Sequence, residues 1–258
     1  SATAAFTVND ASVNNWARQV ATSYGVTTIV SNAAPNATIA DVAAQVAAFG
    51  SNYQAGDLVL ISAGFRDVIN DAVAGTNTAA ASGVAYANVI RTMVANGAKH
   101  VGVTNIYALD ATPAAVTVPN LAVPVALTSG TGTRTRAFND ALKSNLGSTV
   151  LSYIGDNVRL VDAELYLNLA RSNLAGYAYV DATTVVCNSV DAGTGIGIGV
   201  GQINSSLCTA ATINPAATAT TYTTPAYNNY LFADRVYPTP TFHRGFGVYV
   251  HAQLVARW

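Results

Sequence analysis

Short apolar runs that alternate with helical patterns constrain the fold of this chain more than any other feature. Residues 57–62 are almost continuously apolar, as expected for a strand covered on both faces, and residues 100–106 repeat the pattern. The segments 40–49 and 79–96 carry apolar side chains at helical spacing. Strands separated by helices of this length predict a parallel sheet with right-handed crossovers, and therefore an α/β fold.

The same patterns predict the remaining elements. Helices are expected at residues 12–24, 135–146, 163–172 and 242–257, and strands at 27–30 and 158–162. Ser12 is the expected N-cap of the first helix. From about residue 185 to residue 228 the chain is rich in Thr, Ser and Gly and has no helical period, which predicts a long excursion. No internal repeat is evident, so residues 1–258 are interpreted as a single domain.

The charge balance excludes several classes of partner. Charged residues make up 10% of the chain and the net charge is −1, so there is no basic surface for nucleic acid or anionic lipid. A weakly charged surface gives little repulsion between copies, which favours self-association into a homo-oligomer or polymer. No apolar run approaches the roughly 18 residues of a transmembrane segment. Because Ser1 is not preceded by Met, the chain is interpreted as a processed one.

The two cysteines, Cys187 and Cys208, flank a stretch rich in Gly, Ser and Asn. A disulfide that closes this loop is the expected state, and it is typical of a secreted, extracellular, periplasmic or cell-surface protein. Two buried thiols are the alternative. With three His and no cluster of Cys and His, the sequence predicts no metal site and no cofactor.

Four segments follow one another in the order and spacing of a known enzyme family. The strand at 57–62 leads into Gly64-Phe65-Arg66-Asp67, where the family has Gly-x-Asn-Asp. Residues 100–106 and the following Thr112-Pro113 are similar to the next strand and its loop, and residues 136–139 are similar to the start of the next helix. Residues 230–239 resemble a terminal block that is usually Asp-x-x-His-Pro-Thr. The chain thus resembles the SGNH/GDSL hydrolases, a family of esterases and lipases.

The resemblance implies a fold and a location for the site. It implies a flavodoxin-like, three-layer α/β/α sandwich with a central parallel sheet, which is the SGNH-hydrolase fold. Ligands of open parallel sheets bind beyond the carboxyl ends of the strands. Residues 6–9, Trp16 and Tyr24-Gly25 look like the stretch that follows the nucleophile block in a bacterial branch of the family.

The nucleophile block Gly-Asp-Ser is not found. Hydrolysis in the family needs a Ser nucleophile, a His base oriented by an Asp, and an oxyanion hole. One alignment places the block upstream of Ser1, and another places Asn9-Asp10-Ala11 on it, with Ala11 at the position of the Ser. The nearest hydroxyls, Ser12 and Ser62, are interpreted as a helix cap and a strand-end residue.

The other catalytic positions are mostly replaced. The resemblance places Asn36 where the family has Gly and Arg66 where it has the Asn of the oxyanion hole. Tyr237 holds the position of the His, and a phenol with an ordinary pKa near 10 is a poor base at neutral pH. What remains of the family site is Gly64, Asp67 and Asp234. These six positions form a degenerate site with no intact catalytic residue.

Two expectations concern the surroundings of this site. Arg66 is expected to pair with Asp67, Asp71 or Asp234, because its long charged fork cannot reproduce the geometry of a short amide. His243 is the candidate replacement for the lost base, whereas His100 and His251 are interpreted as surface or packing residues.

Three functions follow from the sequence. The leading hypothesis is a non-catalytic secreted protein with a structural or binding role, including a self-assembling subunit of a filament or surface layer. The alternatives are a GDSL-type serine esterase or lipase, and a module that binds a glycan or small molecule. In that module Tyr222, Tyr227, Tyr230 and Tyr237 would line a cleft, or else would pack the excursion onto the core. If the first strand lies upstream, a neighbouring subunit or residues 2–8 would have to fill its place.

Overall fold

A computed structural model describes residues 15–115, 131–148, 157–193, 195–209, 212–213 and 226–258. Five strands are formed in this part of the chain: β1 (Leu58–Ser62), β2 (His100–Thr104), β3 (Val158–Val161), β4 (Asp181–Val185) and β5 (Tyr230–Phe232). The helices are α1 (Trp16–Ser23), α2 (Ile39–Phe49), α3 (Phe65–Ala74), α4 (Ala79–Ala95), α5 (Thr131–Ser148), α6 (Ala163–Ser172) and α7 (Pro240–Val255).

The strands form two parallel sheets. The larger sheet has the order β1-β2-β3, with Leu60 opposite Gly102 and Val103 opposite Leu160. The smaller sheet pairs β4 with β5. The apolar residues of β2 are fully buried, since Val101 and Val103 have no exposed surface. The prediction of an α/β fold with a parallel sheet is therefore confirmed.

The helices form two groups, which pack as the outer layers of an α/β sandwich. Helix α1 packs on α7, and the ring of Tyr166 in α6 packs edge-on against Phe242 and at a tilt against Phe246 of α7. The other group joins α4 to α5, with α2 and α3 packed beside them. A side chain at Gly102 in β2 would press on Leu254 of α7, so α7 lies directly on one face of the sheet.

Local sequence explains where several helices begin. Thr38 and Asp41 form a reciprocal capping box at the start of α2. Asp162 accepts a hydrogen bond from the backbone of Leu165 and so caps α6. Thr239 caps α7, and Pro240 occupies its first turn, where no backbone N–H is needed.

A buried amide network fixes the carboxyl end of β2. Asn139 of α5 accepts a hydrogen bond from the backbone N–H of Ile106 at 3.2 Å and donates one to its carbonyl at 2.8 Å. Asn105 donates to Asp162 at 2.9 Å and accepts from the backbone of Ala163 at 2.7 Å. The two amides thereby connect β2, α5 and α6 at the carboxyl end of the sheet, where the candidate site lies.

Several expectations differ from the structure. Helix α1 begins at Trp16 with Asn15 as its cap, and Ser12 lies outside the described residues. No strand is formed at the predicted position 27–30 within the described part of the chain, where these residues have no regular secondary structure and pair with no described strand. Helix α3 and the sheet of β4 and β5 were not predicted. In the part of the chain that the structure describes, no helix is long and apolar enough to span a membrane.

Replacing Asn139 with Ala tests the amide network. The change leaves the buried N–H and carbonyl of Ile106 unpaired, so we expect the free energy of unfolding to fall by about 2–4 kcal/mol. Denaturant titration measures this value. Asp140→Ala on the exposed side of the same helix is the control and should shift stability by less than about 0.5 kcal/mol. Equal effects of the two substitutions would contradict the role of Asn139.

Candidate functional site

The excursion folds back over the carboxyl end of β1. Its first part is a loop closed by the disulfide Cys187–Cys208, whose Cα atoms are 5.6 Å apart, and this confirms the predicted bridge. We call residues 187–208 the disulfide loop. The structure brings this loop against three of the six degenerate-site positions, which are Asn36, Arg66 and Asp234.

Asn36 binds the disulfide loop through its side chain. Its Nδ2 donates a hydrogen bond to the carbonyl of Gly195 at 2.9 Å. The backbone of Asn36 has a φ of 58°, in the left-handed region that Gly adopts readily and Asn tolerates better than most residues. This conformation suits a position where the resembled family has Gly.

Arg66 lies in the first turn of α3 and packs on the disulfide loop. A side chain at Gly197 would overlap Arg66 Nη1, so the absence of a Cβ at Gly197 makes room for the guanidinium. Nη1 is buried and has no hydrogen-bond partner among the described residues. The expected ion pair of Arg66 is not formed within the described ranges, where the recorded pairs are Arg134 with Asp71 and Lys143 with Asp162.

Asp67 serves a structural purpose at the neighbouring position. Both of its carboxylate oxygens accept the backbone N–H of Ile39, at 3.3 and 3.1 Å, which supports the start of α2. Burial raises the pKa of Asp67, and the hydrogen bond from Ile39 opposes that rise.

Asp234 is fully buried and ties the disulfide loop to the turn after β5. Its carboxylate accepts the backbone N–H of Ser205 at 3.0 Å, of Val236 at 2.8 Å and of Tyr237 at 2.6 Å. Burial raises the pKa of Asp234, and hydrogen bonds from Ser205, Tyr237 and Val236 oppose the rise. These donors are backbone N–H groups of the loop and the turn together with the hydroxyl of Ser205, so this carboxylate is used for structure.

Tyr237, at the position of the family His, is a neutral phenol. Burial and then the nearby charge of Asp234 raise its pKa well above the ordinary value, although the charge of Arg66 acts in the opposite direction. Its ring lies 6.3 Å from that of Phe65, which in turn packs 4.4 Å from Tyr107. The hydroxyl of Tyr107 donates to the carbonyl of Val236 at 2.8 Å, which fixes the same turn.

His243 does not form the missing acid–base pair. Burial, followed by the charge of Arg244, lowers the pKa of His243 to about 4, so the ring is neutral at physiological pH. Its Nδ1 is buried, and no residue that the structure describes forms a hydrogen bond with it. The recorded bonds of Asp234 all go to the loop and the turn, so Asp234 and His243 form no pair within the described ranges. A base with such a low pKa is weak at neutral pH.

The nearest candidate nucleophiles are unsuited or lie outside the described residues. Ser62 is exposed at the end of β1. Ser12 and the segment Asn9-Asp10-Ala11 lie in the part of the chain that is not described. Ser206, in the disulfide loop, directs its hydroxyl to Asn204 at 2.6 Å. In the described part of the chain, no Ser is seen hydrogen-bonded to a His.

Gly64 is one of the three positions that agree with the family site, and it has no room for a side chain. It precedes α3 with a φ of 110°, and a side chain there would overlap the ring of Phe138. Phe138 is completely buried, so its ring has no free space into which to move. Only Gly fits this position without a shift of the core.

A large cavity extends from the degenerate site along β1. Its volume is about 1270 Å³, and its lining includes Arg66, Tyr237 and His243 at one end. Of the tyrosines expected to line a cleft, Tyr237 does so, whereas Tyr230 is buried and packs beside Val186. Tyr222 and the side chain of Tyr227 lie outside the described residues.

The rings of His100 and His251 each pack against another aromatic ring. The ring of His100 lies 5.0 Å from Trp258, and that of His251 lies 4.4 Å from Tyr24. Within the ranges that the structure describes, no group of three or more His, Cys, Asp or Glu side chains is arranged to hold a metal ion.

Sequence reasoning missed the contribution of the disulfide loop to the site. The loop residues Gly197 and Ser205 contact Arg66 and Asp234, yet they lie in a stretch without periodicity or motif. The cysteine pair was the available signal, because it predicted that the loop is held in one place. It did not indicate which surface the loop covers.

No protein-family model matches the chain, and the comparison with curated proteins found no match either. The likeness to the SGNH/GDSL hydrolases therefore rests on the sequence blocks quoted above.

Replacing Gly64 with Ala tests the packing under the site. Gly75→Ala is a matched control, because Gly75 also has a positive φ, of 67°, but a side chain there meets open space. Both variants carry backbone strain, and Gly64→Ala adds the overlap with Phe138. We expect it to cost about 1–3 kcal/mol more than the control in the free energy of unfolding. Equal costs in a urea titration would refute the steric account.

Proposed function

We propose that this protein is a non-catalytic, secreted protein that uses an SGNH-hydrolase scaffold for a structural or binding role. The observation that carries the proposal is the contact of the disulfide loop with the degenerate site. The side chain of Asn36, the guanidinium of Arg66 and the carboxylate of Asp234 all contact this loop. The positions that would perform catalysis in a hydrolase therefore hold the protein's own backbone.

The chemistry of the site supports the same conclusion. Hydrolysis by this family needs a base whose pKa lies near the working pH and a carboxylate that orients it. Tyr237 has a raised pKa, and that of His243 is lowered to about 4, so neither residue can accept a proton efficiently at neutral pH. Asp234 is hydrogen-bonded to donors of the disulfide loop and of the turn after β5. Loss of triad members costs several orders of magnitude in rate.

Two features support the scaffold and the location. Asn36 and Gly64 both have backbone conformations that Gly adopts readily, at the positions where the family has Gly. The disulfide Cys187–Cys208 supports an oxidising location, because such bonds persist in secreted, periplasmic and cell-surface proteins.

The absence of esterase activity is the first expected result. With p-nitrophenyl acetate or butyrate as substrate, the protein should release nitrophenol no faster than the Ser62→Ala variant does. A serine-reactive phosphonate should leave any residual rate unchanged, because no Ser of the described part of the chain is hydrogen-bonded to a His. Turnover that the phosphonate abolishes would overturn the proposal and favour the esterase alternative.

For the structural role, we propose that the protein is a subunit that self-associates. A net charge of −1 gives little electrostatic repulsion between copies. Exposed apolar side chains such as Val180, Val190 and Val200 lie on the surface near or within the disulfide loop. We expect assemblies larger than a monomer in size-exclusion chromatography and electron microscopy of the native protein. A strictly monomeric species would contradict self-association, and the binding role would then remain as the proposal.

A further inference from the structure

A second, more open cavity lies at α6, α7 and the turn that follows α6. Its volume is about 450 Å³, within the roughly 300–1,000 Å³ of pockets for small ligands. Its polar lining includes Tyr166, Tyr177, Tyr179, Thr241 and Arg244, and we call this cavity the tyrosine groove. No described residue lines both the tyrosine groove and the large cavity of the degenerate site. The groove is therefore a separate place on the molecule.

Three phenol side chains converge on the tyrosine groove. The rings of Tyr166 and Tyr177 lie 5.6 Å apart and meet edge to face. Tyr166 and Tyr179 are only 5% and 3% exposed, so the core holds their rings in place. None of the three hydroxyls forms a hydrogen bond with a residue that the structure describes. The hydroxyls are not enclosed in the core either, so a ligand in the groove can reach them.

The phenols of Tyr166 and Tyr179 are neutral hydrogen-bonding groups. Burial, and then the nearby phenol of Tyr177, raise the pKa of Tyr166 to about 12. Burial also raises the pKa of Tyr179 above its ordinary value. Each hydroxyl therefore keeps its proton at physiological pH, and it can donate one hydrogen bond and accept others. A side chain at Gly245 of α7 would overlap the hydroxyl oxygen of Tyr166, so this glycine makes room for the phenol.

Arg244 is the cation of the groove, and hydrogen bonds hold its guanidinium in place. Thr241 accepts a hydrogen bond from Arg244 Nη2 at 3.0 Å and donates one to Asn228 Oδ1 at 3.0 Å. In the described part of the chain, no carboxylate lies within ion-pair distance of Arg244. An oriented guanidinium without a carboxylate partner is suited to the anionic group of a ligand, because its planar fork matches a carboxylate.

Tyr177 provides an aromatic surface beside these polar groups. It is half-buried, and Tyr166 is its ring contact among the described residues, so part of the Tyr177 ring is open to a ligand. Its exposed neighbours Gly176 and Ala178 also line the groove and are too small to cover the ring. A sugar has apolar ring faces and polar edges, so it packs a face on such a ring and turns its hydroxyls to hydrogen-bonding groups.

We propose that the tyrosine groove binds an acidic saccharide, with the carboxylate of a uronic acid on Arg244 and a sugar ring on Tyr177. The hydroxyls of Tyr166 and Tyr179 bind the hydroxyl groups of the sugar. A neutral sugar leaves the charge of Arg244 without a partner, and a lone phosphate makes no use of the aromatic surface. The inference does not rest on the proposed function, because the groove lies apart from the degenerate site.

Two trisaccharides that differ in charge test the proposal. Trigalacturonate carries carboxylates, whereas maltotriose is neutral. In isothermal titration calorimetry at low salt, we expect trigalacturonate to bind at least about tenfold more tightly, because only its carboxylates form charge-assisted hydrogen bonds with Arg244. Inorganic phosphate should also bind at least about tenfold more weakly than trigalacturonate, because it cannot pack on Tyr177.

Three variants show whether the binding uses the groove. Arg244→Gln removes the charge and keeps an amide, so it should weaken trigalacturonate binding at least about tenfold and barely affect maltotriose. Tyr177→Ala removes the aromatic surface and should weaken the binding of both sugars. Arg136→Gln is the matched control, because Arg136 is exposed on α5 and lies outside the groove. It should leave both affinities unchanged.

The outcomes separate the possible ligands. Tight binding of trigalacturonate that is lost in Arg244→Gln supports the proposal. Equal affinities for the two trisaccharides, an affinity that Arg244→Gln leaves unchanged, or no measurable binding would overturn it. Phosphate that binds as tightly as trigalacturonate would assign the groove to phosphate groups and would also overturn it.

Amide chemical shifts during the same titration locate the ligand. We expect trigalacturonate to shift the amides of residues 176–179 and 241–248 and to leave those of Arg66 and Asp234 unchanged. Shifts confined to Arg66 and Asp234 would overturn this inference and leave the proposed function standing. Conversely, ester turnover that a serine-reactive phosphonate abolishes would overturn the proposed function and leave this inference standing.

Discussion

One buried carboxylate, Asp234, holds together the parts of the molecule that meet at the candidate site. It accepts backbone hydrogen bonds from Ser205 in the disulfide loop and from Val236 and Tyr237 in the turn after β5. A buried charge is costly unless it is hydrogen-bonded, so the loop cannot leave its place without exposing or stranding this group. The contacts of the loop with Asn36 and Arg66 depend on the same anchoring.

Under the proposed function, this arrangement would explain how a scaffold of the hydrolase type loses its chemistry and keeps its fold. In a catalytic triad the carboxylate orients a His, and the group that it binds must be able to take up a proton. Here the carboxylate binds three backbone N–H groups, and the phenol of Tyr237 lies beside it with a raised pKa. The proposed structural or binding role rests on this use of the carboxylate to hold a disulfide-closed loop.

Periodicity and local motifs predicted most of the fold but little of the site. The strands β1, β2 and β3 and the helices α2, α4, α5, α6 and α7 agree with the sequence patterns, because both the apolar runs and their spacing are local signals. Helix α3 was missed because its first residues had been interpreted only as a motif. The strand expected at 27–30 has β-branched residues, yet a strand also needs a partner edge, which no local pattern reports.

Local sequence patterns also failed to predict the contacts within the candidate site. The sequence singled out Asn36, Gly64, Arg66, Asp67, Asp234 and Tyr237, but it predicted an ion pair for Arg66 that the structure does not show. Arg66 and Gly197 contact each other although they lie more than a hundred positions apart in the chain. Asp234 and Ser205 are likewise separated by several elements. Such contacts depend on the path of an irregular loop. Cysteine spacing showed that the loop is closed but not where it lies.

The most direct test of the account is a double-mutant cycle between the disulfide and Asp234. Unfolding free energies are measured for the unsubstituted protein, for Cys187→Ser with Cys208→Ser, for Asp234→Asn, and for the combination. If Asp234 anchors the loop, the effects are less than additive, with a coupling of about 0.5–3 kcal/mol, as for groups that share one network. Additive effects would show that the loop and the turn are stabilised independently, and would contradict the central claim.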